Sequence, residues 1–324
     1  MLKYRLIFGP IMILGLIALI YFDNKLDDIN LQGTFLQPMF LGRTYLPAGL
    51  IMLGLFLVLI SLAVREIIHM FRAKGLAPDG LMIWLSGIIG CSLIYIIPFQ
   101  TDSQTTIAIY ASFMVLLFMF TLIRLAIRKM TTGALIAGSL TMFGFLYLGV
   151  LPGFYLAIRR WHSAWVIAAI ILIIKSCDIG AYFTGCSIGK HKMIPWLSPK
   201  KSWEGLVGGI LFSGLVAVGL TALGNYLGVT GKWMGGGADG GDRFFQAHHY
   251  PLWFAFVVGV LFGLLGQAGD LTASMFKRDA AIKDSGSFVP GFGGLIDILD
   301  SPVLVAPFAY WVLIIAEQLS HVGG

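Results

Sequence analysis

Long apolar runs recur along the whole chain, and short polar segments separate them. A helix needs about 20 mostly apolar residues to cross the hydrocarbon core of a bilayer, which is about 30 Å thick. Nine runs approach that length, at residues 5–22, 45–64, 81–99, 107–127, 133–156, 163–185, 205–229, 251–273 and 301–318. The pattern therefore predicts an all-α, polytopic transmembrane protein with about nine spans.

Composition supports this class. Of the 324 residues, 58% are hydrophobic and 12% are charged, whereas a soluble globular domain carries about 25% charged residues. A soluble fold is therefore excluded. The first apolar run follows a basic start, but no small-residue cleavage site comes after it. We expect a retained first span and not a cleaved signal peptide.

The distribution of charge indicates membrane topology. The net charge is +6, and with the N-terminus inside, the inner segments hold 15 of the 22 Lys and Arg residues. This asymmetry follows the positive-inside rule, to which only the external pair Arg159 and Arg160 is a poor fit. We predict a cytoplasmic N-terminus in a bacterial inner membrane, and the basic balance does not indicate a nucleic-acid partner.

The two halves of the chain differ in the polarity of their spans. We predict a transmembrane scaffold at residues 1–160, without charges inside its spans, and a catalytic transmembrane domain at residues 161–324. In the second half, Lys175 and Asp178 stand three residues apart and share a helix face. An ionisable pair inside a span is a functional-site hypothesis by default, and an ion pair that locks two helices is the alternative.

The inner segment at residues 186–204 is rich in lysine. Lys200 and Lys201 precede Ser202, which is followed by Trp203, Glu204 and a helical run. We predict that Ser202 caps this helix, because serine oxygens accept the free N–H groups of a first turn. A helix N-terminus is also a natural anion site. A solvated basic loop is the alternative interpretation.

The segment at residues 270–301 places acidic and basic residues together near the membrane. Charges there must be paired, hydrated or bound to a metal ion. Asp270, Asp297 and Asp300 offer hard oxygen ligands, which suit Mg²⁺ together with substrate phosphates. Lys and Arg side chains bind phosphate oxygens, and the segment supplies Lys277, Arg278 and Lys283. The segment therefore predicts a phosphate-chemistry site, with a loop of mutually neutralising ion pairs as the alternative.

Three segments of the second half resemble the motifs of one family. The longest contains, in order, Ser274, Lys277, Arg278, Lys283, Asp284, Gly286, Pro290, Gly291, Gly293, Gly294, Asp297, Asp300 and Ser301. It resembles the signature of phosphatidate cytidylyltransferases, also called CDP-diacylglycerol synthases. The runs 198–205 (SPKKSWEG) and 178–183 (DIGAYF) resemble two further motifs. Two positions depart from the family pattern: Phe292 stands where histidine is usual, and Ile298 where arginine is usual.

The resemblance implies a membrane enzyme with its active site at the cytoplasmic face. A phosphatidate oxygen would attack the α-phosphorus of CTP, so that CDP-diacylglycerol forms and pyrophosphate leaves. The cofactor would be Mg²⁺, as one ion or two. The partners would be CTP, phosphatidate and membrane lipids. Homodimer formation stays open. The implied catalytic residues are Asp178, Lys277, Arg278 and Lys283. The implied substrate-binding residues are Lys200, Lys201, Ser202 and Glu204, and the implied metal ligands are Asp270, Asp297 and Asp300.

Other functions remain open at this point. A CTP-dependent lipid-alcohol kinase, or a cytidylyltransferase for another lipid phosphate, would use similar residues. The released product separates a kinase from a cytidylyltransferase, because a kinase releases CDP and a cytidylyltransferase releases pyrophosphate. A transporter would also place Lys175 and Asp178 within a span, but it gives no reason for phosphate-type clusters in two inner segments. An inactive membrane scaffold is the remaining alternative, given Phe292 and Ile298.

Overall fold

A computed structural model describes residues 2–35, 37, 45–97, 101–130, 132–227, 251–282, 285–286 and 293–322. Within these ranges the chain is almost entirely helical. The α-helices are α1 Leu2–Leu26, α2 Leu50–Ala73, α3 Gly80–Ile96, α4 Ser103–Ile127, α5 Ala134–Phe143, α6 Leu151–Trp161, α7 Ala164–Ile188, α8 Trp203–Leu227, α9 Leu252–Asp279 and α10 Leu295–Val322. A π-helix at Gly144–Val150 joins α5 to α6, and the strands β1 Lys192–Ile194 and β2 Ser198–Ser202 pair antiparallel.

The helices match the predicted spans one to one. In the described ranges, eight helical segments are long and apolar enough to cross a membrane, and α3 is a shorter apolar helix. The segment Ala134–Trp161 runs through α5, the π-helix and α6 and corresponds to the fifth predicted span. The prediction of an all-α polytopic protein is confirmed, and the chain is an integral membrane protein.

Short polar residues define where several helices begin. Asp79 accepts a hydrogen bond from the backbone N–H of Met82 at 3.4 Å, and Asp102 accepts one from Thr105 at 2.9 Å. These N-caps replace backbone partners that the first turn lacks. Inside the spans, a Cβ atom on Gly149 would lie 2.8 Å from the carbonyl oxygen of Gly87. Glycine therefore allows α3 and the π-helix to pack backbone against backbone.

The chain forms two compact units that alternate along the sequence. Unit 1 comprises Met1–Gly9, Leu53–Leu156 and Met275–Leu299, and unit 2 comprises Pro10–Met52, Ala157–Ser274 and Asp300–Gly324. Each unit is described below by itself. The functional division at residue 160 stays a prediction.

The expectation of spans without charges in the first 160 residues is wrong. In unit 2, Arg159 is 1% exposed and its Nε atom donates to Asp23 Oδ2 at 2.5 Å. Its Nη2 atom donates to Asp27 Oδ2 at 2.6 Å, and its Nη1 atom donates to the carbonyl oxygen of His162 at 3.2 Å. This pairing explains why Arg159 fits the positive-inside rule poorly: it is a buried partner of two carboxylates.

We expect Asp27→Asn to make stability rise more steeply with pH between about 4 and 6. Burial raises the pKa of Asp27 to about 6 against the pull of Arg159, and burial lowers the pKa of His162 to about 4. Between pH 4 and pH 6, Asp27 holds a proton in the folded protein that it releases in the unfolded chain. The contribution of Asp27 to the free energy of unfolding therefore falls as pH rises. The contribution of His162 rises with pH, because His162 binds a proton in the unfolded chain but not in the folded protein. The substitution removes the Asp27 contribution and leaves the contribution of His162 unopposed by it.

The measurement is the thermal unfolding midpoint of the detergent-solubilised protein from pH 4 to pH 7. Asp28→Asn is the matched control, because Asp28 is the neighbouring carboxylate and is exposed. An unchanged slope in Asp27→Asn would contradict the assignment of the pKa of about 6 to Asp27.

Candidate active site

Four elements of unit 2 bring six polar side chains together, and we name them the carboxylate–lysine cluster. Its members are Lys175 and Asp178 on α7, Lys201 on β2, Gln267 and Asp270 on α9, and Asp300 on α10. Lys201 Nζ lies 2.6 Å from Asp270 Oδ2 and donates to Gln267 Oε1 at 2.7 Å. Gln267 Nε2 donates to Asp178 Oδ1 at 2.8 Å. Gln267 therefore connects Lys201 to Asp178.

The carboxyl groups of the cluster outnumber its ammonium groups. Lys175 Nζ lies 3.6 Å from Asp178 Oδ2, which confirms that these residues share a helix face. The carboxyl groups of Asp270 and Asp300 lie within hydrogen-bonding reach of each other. Three carboxyl groups against two ammonium groups leave one negative charge, which a proton or a bound cation must balance within the membrane.

A glycine allows the two aspartates to approach. A Cβ atom on Gly269 would lie 2.6 Å from the carbonyl oxygen of Asp300 and 3.0 Å from the Cα atom of Ser301. No residue other than glycine fits so close to a neighbouring backbone. Gly269 therefore permits a close backbone approach next to Asp270.

The lysine-rich segment folds into a short hairpin that the sequence analysis described only as a loop. Lys192 pairs with Ser202, and Ile194 pairs with Ser198. Neighbouring residues of a strand point to opposite faces, so β2 directs Lys200 and Lys201 to different sides. Lys201 is 20% exposed in the carboxylate–lysine cluster, whereas Lys200 is exposed.

The hairpin also fixes the start of α8. Ser202 Oγ accepts a hydrogen bond from the N–H of Gly205 at 3.2 Å, which confirms the predicted cap. The N–H of Trp203 donates to the carbonyl oxygen of His191 at 3.0 Å. Glu204 accepts hydrogen bonds from the N–H of His191 and contacts its Nδ1 atom at 2.6 Å. Two backbone donors of the first turn are thus occupied, and the anion site there stays a prediction.

A second polar group forms in unit 1 around Asp297. Lys277 Nζ lies 2.6 Å from Asp297 Oδ1. Asp297 Oδ2 accepts hydrogen bonds from the N–H of Gly294 at 3.1 Å and from the N–H of Ser285 at 3.2 Å, and it lies 3.1 Å from Ser285 Oγ. Both oxygens of Asp297 therefore have protein partners, and its predicted role as a metal ligand stays a prediction.

Glu66 on α2 completes this group, although the sequence analysis assigned no chemistry to its half of the chain. Its Oε1 atom accepts from the N–H of Leu295 at 2.7 Å, and its Oε2 atom accepts from the N–H of Ile296 at 3.0 Å. Ser285 Oγ donates to Oε2 at 2.9 Å. The first turn of α10 is thus capped by a carboxylate from α2. A charged residue within an apolar run was the available signal, but the predicted second span ended before it.

Comparison with known proteins identifies the family. The profile of the cytidylyltransferase family matches residues 31–316, which is most of the chain. The chain belongs to this family.

Several relatives of the chain carry the name phosphatidate cytidylyltransferase, and three of them are described here. The protein of Staphylococcus saprophyticus is 28% identical over 270 residues, which cover 83% of this chain and 92% of the relative. The protein of Synechocystis is 30% identical over 286 residues, which cover 80% and 86%. The protein of Mycobacterium tuberculosis is 38% identical over 152 residues, which cover 47% of this chain but only 39% of the relative. The match thus spans less than half of the mycobacterial protein.

The residues of the carboxylate–lysine cluster fit a magnesium ion that is shared with a substrate. In the part of the chain that the structure describes, no three His, Cys, Asp or Glu side chains lie close enough to form a metal site by themselves. Mg²⁺ usually binds one or two carboxylates and completes its shell with water and substrate phosphates. Asp270 and Asp300 provide such a pair beside Asp178. The donor set therefore suits Mg²⁺ with bound nucleotide.

The predicted site residues do not all lie together in the structure. Unit 2 brings together Asp178, Lys201, Asp270 and Asp300, and unit 1 brings together Lys277 and Asp297. Ser202 and Glu204 stabilise the hairpin, while Lys200 and Arg278 are exposed. Lys283 and Phe292 lie outside the described residues, and Ile298 is partly buried on α10. The roles of all these residues stay predictions. Gln267 and Glu66 were not predicted from the sequence: Gln267 joins members of the unit 2 group, and Glu66 joins members of the unit 1 group.

Proposed function

We propose that this cytidylyltransferase transfers the cytidylyl group of CTP to phosphatidate and so produces CDP-diacylglycerol and pyrophosphate. The observation that carries the proposal is the carboxylate–lysine cluster, which brings three carboxyl groups and two lysines together within unit 2. Two relatives that align over most of their length, from Staphylococcus saprophyticus and Synechocystis, bear the name of this activity.

The chemistry requires charge stabilisation more than proton abstraction. The attacking phosphate monoester is already anionic at neutral pH, so no strong general base is needed. The barrier comes from bringing two polyanions together and from the charge that develops on pyrophosphate. Lys201 would contact the nucleotide phosphates. Lys277, Arg278 and Lys283 would contact the lipid phosphate or pyrophosphate.

Gln267 has a positioning role in this proposal. It accepts from Lys201 at 2.7 Å and donates to Asp178 at 2.8 Å, so it holds a cation and a carboxylate at fixed places on different elements. Fixed charges stabilise a transition state without reorganisation during the reaction. Lys200, Ser202 and Glu204 would shape the nucleotide side of the site through the hairpin.

The proposed cofactor is Mg²⁺, as one ion or two. Asp270 and Asp300 would hold it, with Asp178 beside them and Asp297 as a further predicted ligand. A bound Mg²⁺ would neutralise phosphate oxygens and orient the leaving group. The residues of the chain supply the remaining positive charge and fix the position of the substrates.

The proposed location is the inner membrane of a bacterium, with the N-terminus and the active site facing the cytoplasm. The asymmetry of the 22 basic residues supports this orientation. CTP would then reach the site from the cytoplasm and phosphatidate from the membrane. Homodimer formation stays open.

The test is a transfer assay with purified protein, CTP labelled at the α-phosphate, Mg²⁺ and phosphatidate in mixed micelles. We expect the label to enter the lipid fraction with equimolar pyrophosphate and no transfer without the lipid. A panel of lipid phosphates, including an ether-linked one, defines the acceptor. Release of CDP with phosphate transfer to a lipid alcohol would indicate a kinase, and absence of pyrophosphate with every acceptor would refute the proposal.

A further inference from the structure

The carboxylate of Glu66 is enclosed by the segment that carries Ser285 and by the start of α10. Glu66 is 9% exposed, and its two oxygens accept three hydrogen bonds, from the N–H groups of Leu295 and Ile296 and from Ser285 Oγ. Charge-assisted hydrogen bonds of this kind are roughly twice as strong as neutral ones. All these residues belong to unit 1.

Two glycines make room for this carboxylate. A Cβ atom on Gly286 would lie 2.8 Å from Glu66 Oε1, and one on Gly294 would lie 2.6 Å from Glu66 Oε2. The same Cβ atom on Gly294 would lie 2.0 Å from Ser285 Oγ. Both glycines are part of the motif that resembles the family signature. The motif therefore packs around an acidic residue from a distant part of the chain, since Glu66 and Ser285 are 219 residues apart.

Ser285 connects Glu66 to the residues predicted to bind phosphate. Its Oγ atom lies 2.9 Å from Glu66 Oε2 and 3.1 Å from Asp297 Oδ2. Asp297 in turn contacts Lys277 at 2.6 Å. The position of the Lys277 ammonium group thus depends on a chain of contacts that begins at Glu66.

We propose that Glu66 is a positioning residue of the active site, which holds Lys277 in place through Ser285 and Asp297. The inference rests on the proposed cytidylyl transfer, in which Lys277 contacts a phosphate group. Glu66 itself touches no substrate. It fixes the turn before α10, and with it the orientation of Asp297, so that the ammonium group of Lys277 is presented at one place.

The test compares Glu66→Gln with Asp79→Asn. Asp79 is a matched control: it is an 8% exposed helix cap in unit 1, it is ion-paired to Arg124, and it lies outside the proposed site. We expect Glu66→Gln to reduce kcat/KM for cytidylyl transfer about 100-fold, because small displacements of a catalytic group have effects of this size. Asp79→Asn should lower the unfolding midpoint at least as much and keep the wild-type rate.

A double-mutant cycle separates positioning from a merely structural role. If Glu66 acts through Lys277, the variant Glu66→Gln/Lys277→Met is no slower than Lys277→Met alone. Ser285→Ala removes the hydroxyl link but keeps the carboxylate cap of α10. It should reproduce most of the loss in kcat/KM. This variant replaces Glu66→Gln in the test if Glu66→Gln does not fold.

Three outcomes overturn the inference while the proposed function survives: Glu66→Gln at the wild-type rate, Ser285→Ala at the wild-type rate, or multiplicative losses in the double variant. A wild-type protein that releases no pyrophosphate refutes the proposed function instead.

Discussion

Lys201→Met is expected to slow pyrophosphate release about 100- to 1000-fold, the usual effect of removing one group that stabilises transition-state charge. Lys201 lies 2.6 Å from Asp270 and donates to Gln267. Methionine keeps much of the side-chain volume but removes the charge, so the hairpin should remain folded. The measurement is steady-state kinetics with varied CTP, together with the unfolding midpoint of each variant.

Lys192→Met is the matched control for Lys201→Met. Lys192 belongs to the same hairpin and pairs in register with Ser202, but its side chain is exposed and it is not among the proposed site residues. It should keep the wild-type rate. If the rate of pyrophosphate release falls equally in both variants, the basic charge of the hairpin acts at long range and Lys201 has no specific role. A wild-type rate in Lys201→Met would remove this residue from the site.

The sequence predicted the spans well because the membrane imposes a simple length requirement. Each of the nine apolar runs has a corresponding helix within the described ranges. Local features were also predictable: Ser202 caps α8, and Lys175 reaches Asp178, because these contacts depend on spacings of three residues. Such contacts are set by the geometry of a single helix.

The missed residues share a different property, which is that their partners are distant in sequence. Gln267 contacts a residue 89 positions away, Arg159 one 136 positions away, and Glu66 one 230 positions away. A polar residue in an apolar run indicates that a polar partner exists, but a single sequence does not identify that partner. The hairpin was missed for another reason: its strands are three and five residues long and show no apolar alternation.

The structure also changes how phosphate binding is expected to work. Helix N-termini are natural anion sites, yet the first turns of α8 and α10 both use their backbone donors within the protein. Ser202 and His191 accept from α8, and Glu66 and Asp297 accept from the start of α10. Side-chain cations therefore carry the proposed phosphate contacts. This explains why the substitution of one lysine is expected to have a large effect.

Arg159→Met is expected to reduce the free energy of unfolding by about 3–5 kcal/mol, because it leaves two buried carboxylates without their cation. Asp23 is 0% exposed and Asp27 is 7% exposed. Arg159→Lys should also destabilise the protein. A lysine lacks the planar fork that lets Arg159 reach Asp23, Asp27 and the His162 carbonyl together.

The measurement is detergent unfolding monitored by the reactivity of the thiols of Cys91 and Cys177, which are buried in the folded protein. Arg160→Met is the control, because Arg160 is the adjacent arginine and is only partly buried. The triple variant Asp23→Asn/Asp27→Asn/Arg159→Met should recover most of the loss, since it removes the unpaired charges as well as the cation. If the triple variant is as unstable as Arg159→Met, the loss comes from packing around the arginine stem and not from unpaired carboxylates.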